Sequence, residues 1–263
     1  MRQILSCLVT IVTKLLVIVV AIQVYFWYYY FIRLVRQQSK ATFKVTESLN
    51  ILLCAYNESH NLRIHVPLIA SQKSIDFDIL IIDDQSEDDT ALVISELAQK
   101  FTQVRYIKNT GTKGKKGALI EGLKQANADW LLLTDADCEV GNQWANAMLS
   151  CRKSENTDII LGYSPLKSGK SLVSKWAHFE AWITALLYLS FAKAGIPYMG
   201  VGRNILYRRK TISEQAVSKY DHLVSGDDDL TVMQLANKDN TEICLDPNSF
   251  VYTKAPDNLA SYI

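Results

Sequence analysis

Little in this sequence draws it to nucleic acid. Its 263 residues carry 28 basic and 27 acidic side chains, a net charge of +1 with histidine neutral. No global field therefore favours a polyanion. No Cys-x-x-Cys pair occurs among Cys7, Cys54, Cys138, Cys151 and Cys244, and no metal-ligand spacing links them. Their odd number and scatter predict free thiols in a reducing compartment. His60, His65, His178 and His222 have no ligand spacing either. Internal repeats and low-complexity tracts are absent.

What is abundant is apolar sequence at the start. From Ile4 to Ile32 the strongly polar side chains are Ser6, Thr10, Thr13, Lys14 and Gln23. As a helix this stretch runs about 43 Å against a hydrocarbon core of about 30 Å, so it spans with tilt or with its first turns in the interface. Tyr25, Trp27, Tyr28, Tyr29 and Tyr30 crowd one end, as an interfacial aromatic belt does. A cleaved signal peptide is the alternative, but the run is too long and no small-x-small cleavage site follows. Arg33, Arg36, Lys40 and Lys44 follow the belt, and only Arg2 precedes the run. The positive-inside rule then predicts a membrane anchor and basic flank over 1–45, with a cytoplasmic domain over 46–263.

Beyond Lys44 short apolar segments alternate with amphipathic ones. Strands are expected at 49–55, 77–82, 104–107, 130–133 and 159–163. Ile94, Leu97, Ala98 and Phe101 recur at helical spacing, and Ser86 with Asp89 three positions on reads as a helix start. Leu119, Ile120, Leu123 and Ala126 form a second stripe. Leu172, Val173, Trp176, Phe179, Ile183, Leu186 and Leu187 form a third, read first as a core face and second as a membrane face. The alternation implies an α/β fold with a mostly parallel, Rossmann-like sheet.

Ligands of such sheets sit beyond the carboxyl ends of the strands. The first strand runs into Tyr56-Asn57-Glu58, the second into Asp83-Asp84-Gln85-Ser86 and the fourth into Thr134-Asp135-Ala136-Asp137. One acidic strand end is ordinary turn chemistry; three converging ends describe a site. Asp135 and Asp137, one residue apart, repel each other. Mg²⁺ or Mn²⁺ would remove that repulsion, with a diphosphate completing the shell. The run from Gly111 to Gly117, rich in glycine and lysine, precedes a helix and suits an anion, although its spacing is not that of a P-loop. Asp227, Asp228 and Asp229 precede a helix expected from Leu230, where acids also favour the N-terminal dipole. Met199-Gly200-Val201-Gly202-Arg203-Asn204 is a glycine-bearing turn that can line a pocket.

In order, Ala55-Tyr56-Asn57-Glu58, Ile82 to Thr90, Gly114-Lys115-Lys116-Gly117-Ala118-Leu119, Thr134-Asp135-Ala136-Asp137 and Gly226-Asp227-Asp228-Asp229-Leu230 resemble the motifs of family 2 glycosyltransferases with the GT-A fold. The resemblance runs from about Leu49 to Pro256 and is stronger to membrane-anchored bacterial members related to polysaccharide synthases. It implies an inverting transferase that uses a cytosolic nucleotide-sugar, often a UDP-sugar, and a lipid or glycan acceptor at the membrane. It places Tyr56, Glu58, Asp83, Asp84, Lys115 and Asp135 about the nucleotide-sugar and the metal on Asp135 and Asp137. Asp228 matches the catalytic base; Gly202, Asn204 and Asp227 match the acceptor and donor pocket.

One departure stands out. Membrane members carry Q-x-x-R-W shortly after a segment like Tyr252-Thr253-Lys254-Ala255-Pro256, and the sequence ends at Ile263 before it. That predicts nucleotide binding with poor transfer unless a downstream segment exists. The rival reading is a catalytically silent, membrane-anchored nucleotide-sugar binder. A nucleotidyltransferase fits less well, because no glycine-rich nucleotide signature lies near the first strand.

Overall fold

A computed structural model describes residues 2–35, 47–219 and 227–262. The chain divides into two compact units, 1–37 and 38–263.

The first unit is helical. Helix α1 spans Arg2–Trp27, a π-helical turn covers Tyr28–Ile32, and α2 is Arg33–Val35. Residues Ser6–Ile32 form a 27-residue stretch whose 18-residue apolar window has mean hydropathy 2.5, with none of that window buried. It is long and apolar enough to cross a membrane. Tyr25 stacks on Tyr29, and Trp27 lies 4.5 Å from Phe31 between ring centres. Of the basic flank, Arg36, Lys40 and Lys44 lie outside the described residues.

The second unit contains β1 (Leu49–Ala55), α3 (Ser59–Ala70), β2 (Phe77–Asp83), α4 (Thr90–Lys100), β3 (Val104–Lys108), α5 (Lys115–Gln125), β4 (Trp130–Asp135), β5 (Glu139–Val140) and α6 (Trp144–Ser150). It continues with β6 (Ile159–Gly162), β7 (Leu166–Lys167), α7 (Leu172–Lys193), β8 (Ile205–Arg208), α8 (Glu214–Ser218), α9 (Asp227–Leu235), β9 (Thr241–Cys244) and β10 (Val251–Lys254). A seven-stranded sheet has the order β3-β2-β1-β4-β8-β6-β9, and only β8 runs against its neighbours. A small sheet has the order β5-β10-β7.

Strand β1 is the axis of the large sheet. Leu49, Ile51, Leu52 and Leu53 are all buried, because helices cover both faces of a parallel sheet and leave no polar side. Asn50 is tolerated there because its Oδ1 accepts from the backbone N–H groups of Asn127 and Ala128, at 2.9 and 3.0 Å. Register decides function. Ala55 pairs with Asp83, and Cys54 with Asp135. Strands β1, β2 and β4 therefore end almost flush, and the loops that leave them meet at one edge.

Three expectations change. The helix expected from Ser86 starts at Thr90; the Ser86 hydroxyl instead accepts from Asn57 N–H at 3.0 Å, tying two loops together. The stripe of α7 read first as core is not buried: Leu172, Trp176 and Phe179 are 82%, 61% and 50% exposed, and Val173, Ile183, Leu186 and Leu187 are half-buried. The opposite face is buried through Ser174, Ala177, Ala185, Tyr188 and Ala192, whose mostly small side chains let the helix lie close to the sheet. Cys151 and Cys244, expected as free thiols, form a disulfide. Although 93 residues apart, the end of α6 and β9 bring their Cα atoms to 5.5 Å.

Candidate active site

The flush ends of β1, β2 and β4 open into a cleft of about 620 Å³ lined by Tyr56, Glu58, Asp84, Lys113, Lys115, Asp135 and Asp137, among others. Five of these seven are the expected Tyr56, Glu58, Asp84, Lys115 and Asp135, and Asp137 joins them as expected. Lys113 is an addition.

One wall is a preorganised loop. Asp84 is buried, and its carboxylate accepts from Gly114 N–H at 2.8 Å and from the Asn109 amide at 2.7 Å. The same amide donates to Thr112 O, and Gly111 N–H donates to Asn109 Oδ1. Asp84 thus holds the whole 109–114 turn, a fixed acceptor rather than a swinging side chain. Gly114 has φ +121°, a conformation that favours glycine. A Cβ at Gly117 would lie 1.8 Å from Thr112 O, so the helix α5 meets this turn at a distance only glycine permits. Asp83 points elsewhere: it is buried, accepts from Ser86 N–H and the Tyr106 hydroxyl, and does not line the cleft.

The fixed loop presents two lysines. Lys113 Nζ lies 4.5 Å above the Tyr56 ring and 3.3 Å from Glu87. Lys115 Nζ contacts Asp135 Oδ1 at 2.8 Å. On the other side, Thr253 of β10 donates its hydroxyl to Asp137 Oδ2 at 2.6 Å. These contacts bear on how two carboxylates share a strand end. An ammonium compensates one and a hydroxyl the other, so the pair is held before any metal arrives.

Asp135, Asp137 and Cys138 bring ligand atoms within 4.8 Å of one another. Burial, and then Asp135 and Asp137, push the Cys138 thiol up to about 12, so it stays protonated at neutral pH. The two carboxylates are hard oxygen donors, which suit Mg²⁺ or Mn²⁺ with the remaining shell left to water or phosphate. Glu58 shares this field. Burial raises its carboxyl above the usual range, Asn61 lowers it by hydrogen bonding, and Asp137 and Asp135 raise it further.

The turn expected to line the acceptor and donor pocket is placed differently. Gly202 and Asn204 are both buried. The Asn204 amide is committed: its Oδ1 accepts from the Trp144 indole at 3.0 Å, and its Nδ2 donates to Tyr163 O and Ser249 O at 2.9 Å each. It joins α6, β6 and the turn before β10, and leaves the residue between, Arg203, to donate to the Ser164 hydroxyl at 2.6 Å. Arg203 lines a second cavity of about 340 Å³ with Glu180, Tyr188 and Tyr262.

Helix α9 begins at Asp227, three residues before its expected start, so the acidic triplet forms its first turn. The side chains of Asp227 and Asp228 lie outside the described residues. Asp229 accepts from the Gly200 backbone N–H, and burial raises its carboxyl above the usual range.

Sequence reasoning passed over Thr253 and Asn109, and took Lys113 only as part of the glycine- and lysine-rich run. Asn109 follows the third strand, so extending the strand-end survey to β3 reveals it. Thr253 gives no local signal, because its partner is 116 residues away.

The family model for glycosyl transferase family 2 matches residues 50–215. Poly-beta-1,6-N-acetyl-D-glucosamine synthase of Staphylococcus epidermidis is 24% identical over 222 residues, 84% of this chain and 53% of the relative. Dolichol-phosphate mannosyltransferase of Pyrococcus furiosus is 28% identical over 137 residues, 52% of this chain and 38% of that protein. The chain thus spans about half the length, or less, of these curated relatives. A mannosyltransferase from Pyrobaculum calidifontis, solved with GDP-Man and Mn²⁺, superposes with TM-score 0.67 at 15% identity, covering 89% of this chain and 65% of that one. TarS of S. aureus, solved with UDP, gives TM-score 0.56 at 15% identity, covering 79% and 60%. The fold is the GT-A fold of such transferases, and the match over 50–215 makes this chain a member of glycosyl transferase family 2.

Proposed function

We propose that the protein is an inverting glycosyltransferase that moves a sugar from a nucleotide-sugar, most simply a UDP-sugar, to a lipid or glycan acceptor at the membrane. The observation that carries this reading is the convergence of Tyr56, Glu58, Asp84, Lys115, Asp135 and Asp137 on one cleft. Fold neighbours solved with GDP-Man and Mn²⁺ and with UDP support a nucleotide-sugar donor.

In this reading Tyr56 and Glu58 border the nucleotide, and Asp84 acts through the loop it fixes. The buried Asp83 braces the end of β2 beneath the nucleotide through Ser86 and Tyr106. Lys115 turns from Asp135 towards the diphosphate, an ammonium exchanging one anion for another. Asp135 and Asp137 hold a divalent cation, which when bound stabilises the negative charge on the departing nucleoside diphosphate. Asp228 takes the proton of the acceptor hydroxyl as its oxygen bonds to the anomeric carbon and the bond to the diphosphate breaks. A single displacement inverts the anomeric centre. Asp227 and the Gly202–Asn204 turn shape the acceptor side, the latter through Arg203. The apolar helix anchors the enzyme in a bacterial inner membrane with residues 46–263 cytoplasmic.

The test is a panel of radiolabelled UDP- and GDP-sugars given to the full chain in membranes, with Mn²⁺, Mg²⁺ or chelator. Metal-dependent release of nucleoside diphosphate with label in an extractable lipid or glycan is expected, and NMR of the product gives its anomeric configuration. Nucleotide binding without turnover across the panel would replace the enzyme by the silent binder. Protease accessibility from outside intact cells would reverse the topology.

A further inference from the structure

Helix α7 is amphipathic in an inverted sense. Over its first half Leu172, Trp176, Phe179 and Trp182 are exposed while Ser174 and Ala177 are buried; farther along, Tyr188 and Leu189 turn inward. Leu172, Trp176 and Phe179 follow one another at helical spacing along the outer face. Trp176 and Phe179 lie 6.1 Å apart between ring centres, and Phe179 and Trp182 also 6.1 Å. Leu259, 63% exposed and from a separate 3₁₀ turn, widens the same groove. A two-segment apolar surface of this kind marks an interaction site rather than ordinary scatter.

We propose that this face docks residues 47–262 onto an anionic lipid surface. Its composition selects lipid. Tryptophan and phenylalanine on one face with lysines at the edge are the pattern of helices that lie in a membrane interface. Lys170 and Lys175, both exposed, sit at the rim beside Leu172 and Trp176 and complement anionic headgroups. Glu180, the acid on this stretch of the helix, accepts a hydrogen bond from the Tyr262 hydroxyl. The same chain carries a helix long and apolar enough to cross a membrane. The proposal rests on reading that helix as an anchor. Once anchored, docking is an intramolecular event, so a patch too weak to bind vesicles alone suffices.

The tryptophans permit a direct measurement. Trp130 and Trp144 are fully buried, whereas Trp176 and Trp182 are exposed. Full-length protein is reconstituted in nanodiscs containing brominated lipid, either anionic or zwitterionic. The difference in quenching between wild type and W27F reports Trp27 and hence the anchor. In W27F, quenching reports α7. Strong quenching of W27F in anionic discs is expected. Adding L172S and F179S, which retain both reporters, should lower it by about half or more, as expected from lost apolar insertion. Adding K170E and K175E should lower it in anionic discs only. Near-UV circular dichroism from the buried tryptophans checks that the variants are folded. Quenching of wild type but not W27F overturns docking and leaves the anchor standing. Failure of wild type to enter the discs overturns the anchor reading and docking with it. Blue-shifted, unquenched emission from W27F that depends on protein concentration overturns lipid docking in favour of a second copy.

Discussion

The acids that leave β4 and those that begin α9 are stabilised by different means. Asp135 and Asp137 face a cleft that supplies a lysine and a threonine hydroxyl. Asp229 receives a backbone N–H from Gly200 and is raised by burial. The first arrangement suits exchange of one cation for another. In the second, burial favours proton uptake at Asp229 itself. In the proposed enzyme these become separate tasks, leaving-group stabilisation at one cluster and proton removal at the other.

The separation is tested most severely at Asp228. Asp228→Asn keeps size and helix-capping capacity but cannot take a proton. Transfer should fall by about 10²–10⁴-fold, the usual worth of general-base assistance, while nucleotide affinity measured by calorimetry stays near that of the parent. Near-normal turnover would move the role to Asp227.

Asp137 should show the reverse signature, loss of the metal-dependent part of nucleotide binding, and Thr253 offers a gentler version. Thr253→Val keeps the shape and removes the hydroxyl that orients Asp137. Outer-shell partners of this kind are typically worth about 10–100-fold in metal affinity. Mn²⁺ titration in the presence of UDP reads the change directly. If Thr253→Val instead altered turnover at saturating metal, the two clusters would not be separable.

Gly117→Ala probes the loop between them and the nucleotide. The added Cβ must displace the Thr112 carbonyl, at a cost of about 1–3 kcal/mol typical of overpacking. Chemical denaturation should show that loss together with weaker nucleotide binding.

The smallest effect is expected at Asp229. Its carboxyl titrates above the usual 3.8 in the folded chain, so the fold binds the proton more tightly than the unfolded chain does. The resulting destabilisation is complete above the folded pKa and absent below 3.8. Asp229→Asn should therefore raise Tm slightly at neutral pH, with the gain disappearing on acidification. A gain that grew on acidification would contradict burial as the cause.

Much of this was legible in residue order. Strands β1 to β4 announced themselves as apolar runs ending in polar residues, and their flush register did the rest. Five features were not legible, each for a physical reason. The Ser86 hydroxyl was taken by a neighbouring loop, Asn57, rather than by its own helix. The face of α7 was misassigned because hydropathy counts large residues, while close packing selected the alanines and serines. Asn204 carried the right motif position but its amide was absorbed by Trp144, Tyr163 and Ser249. The cysteine pair and Thr253 depend on chain segments distant in sequence, which no local pattern encodes.

The Thr253–Asp137 hydrogen bond spans 116 residues, and that distance imposes a timetable. A ribosome delivers the β1–β4 half, with Lys115 and Asp135, well before it delivers β10. During that interval Asp137 lacks its hydroxyl partner, and the small sheet cannot close, because β10 is its middle strand. Long-range contacts of this kind form late and slowly. The nascent protein therefore acquires its Lys115–Asp135 wall first and its finished acidic pair last, so in the proposed enzyme competence for chemistry trails competence for folding along the chain.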